Sequence, residues 1–270
     1  MRGQAATLRY LATTHLSQGQ PERALERITA SLDRSQASGA SPLTLIALAA
    51  IRMALGDAAA ADEAYQRAIE RARQIRAVDQ EASALTLYGR FLAQQARLPE
   101  ARDRLTQAVA VYESLRAGLA DADQRMMYAS RSASPYEPYV DVLMALARQD
   151  TQQAYAREAF RAAERARARG LIELLAASDV DVRRGVDREL VDREQSLRRR
   201  LNAKAALRTT VLMESRDQRR VQRLDAEIAE ISRDWRDALA AMRAESPAFA
   251  SLTEPETLSV EEVQRSLASS

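Results

Sequence analysis

The sequence predicts an all-α protein, a helical solenoid followed by a long antiparallel helical hairpin. Three observations carry that prediction. One helical phrase recurs three times within roughly the first 115 residues, at offsets of about 37 and 40 residues, the spacing of stacked helix-turn-helix repeats. Glycine (8), proline (7) and aromatic residues (4%) are scarce in a chain rich in Ala, Leu, Arg and Glu, a composition that favours helix. Beyond the repeats, Val221, Leu224, Ile228, Ile231, Trp235, Ala238 or Leu239, and Met242 form a heptad seam with alternating steps of three and four.

The three copies read Leu8-x-x-Leu11-Ala12…Ala24-x3-Ile28-x2-Ser31, then Leu45-x-x-Leu48-Ala49…Ala61-x3-Tyr65-x2-Ala68, then Leu85-x-x-Tyr88-Gly89…Ala101-x3-Leu105-x2-Ala108. Small residues recur where two helices must cross closely: Ala12, Ala49 and Gly89, and again Ala24, Ala61 and Ala101. One such pair cannot bury its apolar face alone, so the copies stack. Loop chemistry supports the register. Pro21 and Pro99 stand where second helices begin, at first-turn positions whose amides have no helical partner. Asp57 is placed to cap the corresponding helix of copy two. Ser35–Ser41 reads as a linker, with Pro42 opening the next helix.

This pattern resembles the tetratricopeptide repeat over roughly residues 4–115, with leucine in place of the aromatic often found at the fourth position of the first helix. The resemblance implies that the first helix of each pair lines a concave groove. By position, that groove shows Arg9 and Thr13, then Ile46, Ala50 and Met53, then Thr86, Arg90 and Gln94. The Lys/Asn set that grips a C-terminal carboxylate in chaperone-binding members is missing, so a partly apolar protein or peptide segment is the expected occupant. The competing reading is a groove filled by the chain's own later helices. His15, the single histidine, has Thr13, Thr14 and Ser17 nearby but no acid or second ligand, which favours packing or partial exposure over chemistry.

By pattern the chain divides into four stretches: 1–119, three helix pairs; 120–180, a degenerate fourth pair; 181–245, an antiparallel hairpin or coiled coil; and 246–270, a linker and short helix. The fourth pair is expected over Tyr136–Arg148 and Thr151–Ala177, interrupted upstream by the Ser-Ala-Ser-Pro run at 132–135. Its second helix should bury Phe160, Ala163, Ala166 or Arg167, Leu171 and Leu174. Arg161, Arg165 and Arg169 then form a solvated ladder, with Glu158 and Glu164 as counter-charges. The hairpin's first arm carries a looser seam of Val186, Leu190, Leu197, Leu201, Ala205 and Val211 or Leu212, and the turn falls at Glu214–Asp217.

Charge explains the run Arg198-Arg199-Arg200. Residues 183–224 hold 13 Lys+Arg and 6 Asp+Glu, a net of +7, whereas residues 225–262 hold 3 Arg and 10 Asp+Glu, a net of −7. Folded back, the arms pair Arg208 with Asp225, Lys204 with Glu227, Arg199 near Asp234 and Arg193 near Asp237. Exposed pairs contribute only ~0.2–1 kcal/mol each, so their role is to set register. A neutralised basic arm without aromatics argues against nucleic acid. Ser246-Pro247 is read as the hairpin's stop, and Ser259 with Glu262 as a capping box for one more short helix.

Three later stretches resemble the segment upstream of a CHAT domain, a caspase-like peptidase fold found after tetratricopeptide repeats. They are Tyr136-Glu137-Pro138-Tyr139-Val140-Asp141-Val142-Leu143, the Ala159–Leu175 helix, and Ser246-Pro-Ala-Phe-Ala-Ser-Leu through Leu258-Ser-Val-Glu-Glu-Val-Gln264. The resemblance implies a His–Cys dyad in peptidase members. This chain has no cysteine, so no catalytic residue carries over, and the chain reads as the repeat-plus-linker portion of a longer protein.

The expected function is a non-catalytic interaction and regulatory scaffold. The sequence offers no glycine-rich phosphate loop, metal-ligand cluster or Ser/His/Asp set, so neither a cofactor nor a metal is expected. Net charge is +2 and no run of ~18 apolar residues exists, so neither membrane nor nucleic acid is the expected partner and the location is cytoplasmic. The alternatives are a structural or oligomerising helical protein, a homodimer through residues 221–242, and an enzyme in its own right, for which the sequence offers no catalytic set.

Overall fold

Four sharp turns set the geometry of the first part of the chain. In the computed structural model, which describes residues 2–35, 39–118, 134–148, 153–177, 185–214 and 218–253 together with Glu262 and Arg265, every described element is a helix or a turn, with no strand. The first six helices are α1 (Arg2–Ser17), α2 (Pro21–Ser35), α3 (Pro42–Ala54), α4 (Ala58–Gln74), α5 (Val78–Gln94) and α6 (Leu98–Gly118). The turns after α1, α3, α4 and α5 each place one residue at positive φ: Gly19 (70°), Gly56 (77°), Arg76 (54°) and Ala96 (58°). The next amide then bonds back to the helix, as in Gln20 N to His15 O, Asp57 N to Arg52 O, Ala77 N to Ala72 O and Arg97 N to Leu92 O, each at 2.9 Å. This left-handed closure satisfies carbonyls that the helix end would otherwise leave bare.

Starts are equally local. Ser41 accepts from Thr44 N at 3.2 Å ahead of Pro42, and Asp57 accepts from Ala60 N at 3.1 Å, the cap expected of it. Helices α1, α3 and α5 touch one another in sequence, while α2 and α4 pack against the following first helices, which makes two layers. The small crossing residues Ala12, Ala24, Ala49, Ala61 and Ala101 are fully buried, as are Ile28, Leu85 and Leu105. Gly89 approaches Leu105 so closely that an added Cβ would lie 2.5 Å from Leu105 Cγ.

An aromatic cluster joins copies two and three. Tyr65 lies 5.6 Å from both Tyr88 and Phe91, and Tyr88 lies 6.2 Å from Phe91. Such pairs add about 0.5–1.5 kcal/mol each beyond the area they bury. A polar clamp covers its edge. Asp62 accepts from Tyr88 Oη at 3.1 Å and from Arg97 Nη1 at 2.7 Å, and Arg97 also holds Glu100 at 2.6 Å.

A fourth pair follows: α7 (Tyr136–Ala147) and α8 (Ala154–Ala177). Tyr136 donates to Glu113 at 2.9 Å, Tyr139 donates to Glu158, and Arg102 holds Glu158 at 3.0 Å. Two expectations for α8 are corrected here. Glu158 serves α6 and α7 instead of the arginine ladder. The buried face runs through Ala159 and Ala162, while Phe160 and Ala163 are half-buried and Arg167 is exposed. Phe160 sits about 100° around the helix from Ala159, off the buried stripe. Arg161 and Arg165 are exposed, as a solvated face requires. The upstream run at 132–133 and the side chains of Arg169, Leu171 and Leu174 lie outside the described residues.

The chain divides into two compact units: Met1–Leu115 with Ser132–Ala159, and Arg116–Arg131 with Phe160–Ser270. In the second, α9 (Arg188–Glu214) and α10 (Gln218–Glu245) run antiparallel. Leu197, Leu201, Ile231, Trp235 and Ala238 form the core, with Ile228 and Leu239 against it. Lys204 pairs with Glu227 at 2.5 Å, and Arg208 pairs with Asp225. Ala205 is exposed, against its expected place in the seam. The seam continues from Leu201 through Lys204 and Arg208 to Val211, so the interhelical positions there belong to the charged pairs. Glu194 completes it on the other side. Only 3% exposed, it accepts from Trp235 Nε1 at 3.1 Å.

Ser246-Pro247 ends α10 but also starts α11 (Pro247–Thr253) at once. Ser246 Oγ accepts from Phe249 N at 3.2 Å, with proline at the first helical position, so the expected stop is also a start. The turn at 215–217 and the Ser259 end of the expected capping box lie outside the described residues. Among the described residues no helix is long and apolar enough to cross a membrane.

Candidate protein-binding face

The first helices of the pairs, α1, α3, α5 and α7, adjoin in that order and present one face of each to the same side of the first unit. Along that face α3 is apolar. Ile46, Ala50 and Met53 are half-buried, and Met53 Sδ accepts from Tyr65 Oη at 3.7 Å. Burial pushes the Tyr65 phenol above its usual value, with the positive charge of Arg90 working the other way.

Arg90 and Gln94 on α5 are exposed. Thr86 does not join them. It is 1% exposed and its hydroxyl donates to Ala82 O at 2.8 Å, so it presents nothing to a ligand. On α1, Arg9 and Thr13 are half-buried, with the Arg9 guanidinium 4.4 Å from the Tyr10 ring centre and Thr13 donating to Tyr10 O at 2.9 Å. His15 is half-buried, with Nδ1 3.1 Å from Gln20 Oε1. Its partner is an amide in the neighbouring turn.

Two residues of this face escape the sequence reading. Leu43 is 37% exposed on α3, one turn before Ile46, and Met144 is 49% exposed on α7. The signal for Met144 lies in the burial pattern of the fourth pair. Tyr139, Val142 and Leu143 are buried as Leu85, Tyr88 and Gly89 are, which places Met144 where α5 has Arg90, α3 has Ala50 and α1 has Thr13. The same equivalence sets exposed Arg148 opposite Gln94.

Among the described residues no group of three or more His, Cys, Asp or Glu is placed to hold a metal ion.

Residues 40–114 match the family model of the tetratricopeptide repeat, which covers α3 to α5 and most of α6 and so copies two and three. Copy one lies outside the match, yet α1 and α2 cross on the same buried pair, Ala12 and Ala24. A solved structure, the nearly identical TPR-like repeats of a Podosopora anserina protein described as a kinesin light chain, shares 14% identity at a TM-score of 0.42. The match covers 95% of this chain and 99% of that one. That likeness is too distant to bear on function. No curated protein matches the sequence.

Proposed function

We propose that the chain is a non-catalytic protein–protein interaction and regulatory scaffold that receives a partner on the exposed face of its first helices. The observation that carries this reading is the half-exposed apolar strip of Leu43, Ile46 and Met53 inside a repeat array matching the tetratricopeptide family. The strip is carried on packed helices, an arrangement that lowers the ordering cost of binding. The finer reading is the repeat-plus-linker portion of a TPR–CHAT protein, supported by the three stretches that resemble the region upstream of that peptidase domain. In that setting the α9–α10 hairpin couples the sensing array to the effector.

The test is to pan a phage-displayed random peptide library against the chain and measure the recovered peptides on Ile46→Glu/Met53→Glu. A partner-binding face predicts loss of binding with unchanged helical circular dichroism. Full binding to that variant would sink the proposal.

A further inference from the structure

We propose that this face selects an acidic, partly apolar segment of a partner protein, with carboxylates on Arg90 and Arg148 and apolar side chains on Ile46, Met53 and Met144. The inference rests on the face's role as a binding site and adds the chemistry of the occupant. Arg90 stands at the position held by Ala50 on the preceding first helix and by Met144 on the next, so a cation sits between two apolar patches. Both Arg90 and Arg148 are exposed, and neither has an ion pair among the described residues. By contrast Arg97 and Arg102 are already committed to Asp62 and Glu158.

Charge also gives the site a direction. Asp79 is exposed near the N-terminal end of α5, and Glu137 and Asp141 are exposed in the first half of α7, whereas Arg90 lies toward the C-terminal end of α5 and Arg148 caps the C-terminal end of α7. A segment lying across the face is therefore attracted at one edge and repelled at the other if its acids are misplaced. Guanidinium groups recognise carboxylates by paired hydrogen bonds, which lysine does not reproduce.

The experiment uses the same library on the full chain and reads the sequences recovered. Expected are Asp or Glu residues spaced among Leu, Ile, Phe or Met. For the best such peptide, Arg90→Glu should weaken affinity by about 10–100-fold, the range of a charge-assisted hydrogen bond. Arg90→Lys should recover part of it, and Met144→Gln should weaken it independently of salt. Peptides without acids, or acidic peptides indifferent to Arg90→Glu, would overturn the inference. The scaffold reading would survive such a result as long as Ile46→Glu/Met53→Glu still abolished binding. If that double variant bound normally, both would fail.

Discussion

Single side chains at the turns and crossings carry much of the first unit's specification. At Gly89 an added methyl meets Leu105, which is itself fully buried and has little room to move. Gly89→Ala should therefore lower stability by about 1–3 kcal/mol in urea unfolding, the usual range for overpacking a tight core. Ala96 presents the opposite case. It holds φ 58° at the turn position where the earlier pairs have Gly56 and Gly19. Ala96→Gly should raise stability by up to about 1 kcal/mol, because a side chain in the left-handed region is strained. Glu100 supplies a pH handle. Hydrogen bonds from Arg97 hold its carboxyl below the usual carboxylate value. A carboxyl with a depressed folded value stabilises the fold above the unfolded value, and that contribution is lost as pH falls through the depressed one. The difference in Tm between wild type and Glu100→Gln should be present at neutral pH and vanish in strong acid.

Among the elements, the hairpin shows how a buried polar group sits within an apolar seam. Inside it Glu194 accepts a hydrogen bond from the Trp235 indole. Trp235→Phe keeps most of the ring but removes the donor, and should cost about 1–3 kcal/mol in thermal or urea unfolding. Adding Glu194→Leu should recover a large part of that loss, because the carboxylate that needs the donor is gone. Loss that is merely additive in the double variant would mean that the pair is not coupled. The α10 seam was legible because its residues are apolar at every step, and Leu224, Ile231, Trp235 and Met242 are all buried. The α9 seam was only half legible. A search for apolar residues passes over Glu194 and chooses Ala205, although spacing alone points through residues 190, 194, 197 and 201. In α8 the error has the same form: Phe160 attracts the eye, but the smaller Ala159 and Ala162 make the buried contact.

For the whole molecule, an all-α architecture with stacked pairs was legible because period, small crossing residues and turn chemistry repeat together. The candidate face was legible in α3, where Ile46 and Met53 repeat the pattern, and less so elsewhere. Thr86 is exposed by positional analogy but buried in fact, and Met144 belongs to a pair whose degenerate sequence conceals its register. Exposure depends on neighbours that no single helix encodes. The turns themselves have a further consequence. Gly56 and Ala96 close α3 and α5 in the same conformation, and the residues after them, Asp57 and Arg97, lead into α4 and α6 in the same way. Excising residues 57–96 would thus join Gly56 to Arg97 without changing the hand or length of the turn. It would set Ala101, Leu105 and Ala108 where Ala61, Tyr65 and Ala68 had met α3. The shorter chain should still fold, because the unit of inheritance in this array is the interval between left-handed residues, and a whole interval can be lost or duplicated without a new junction having to be invented.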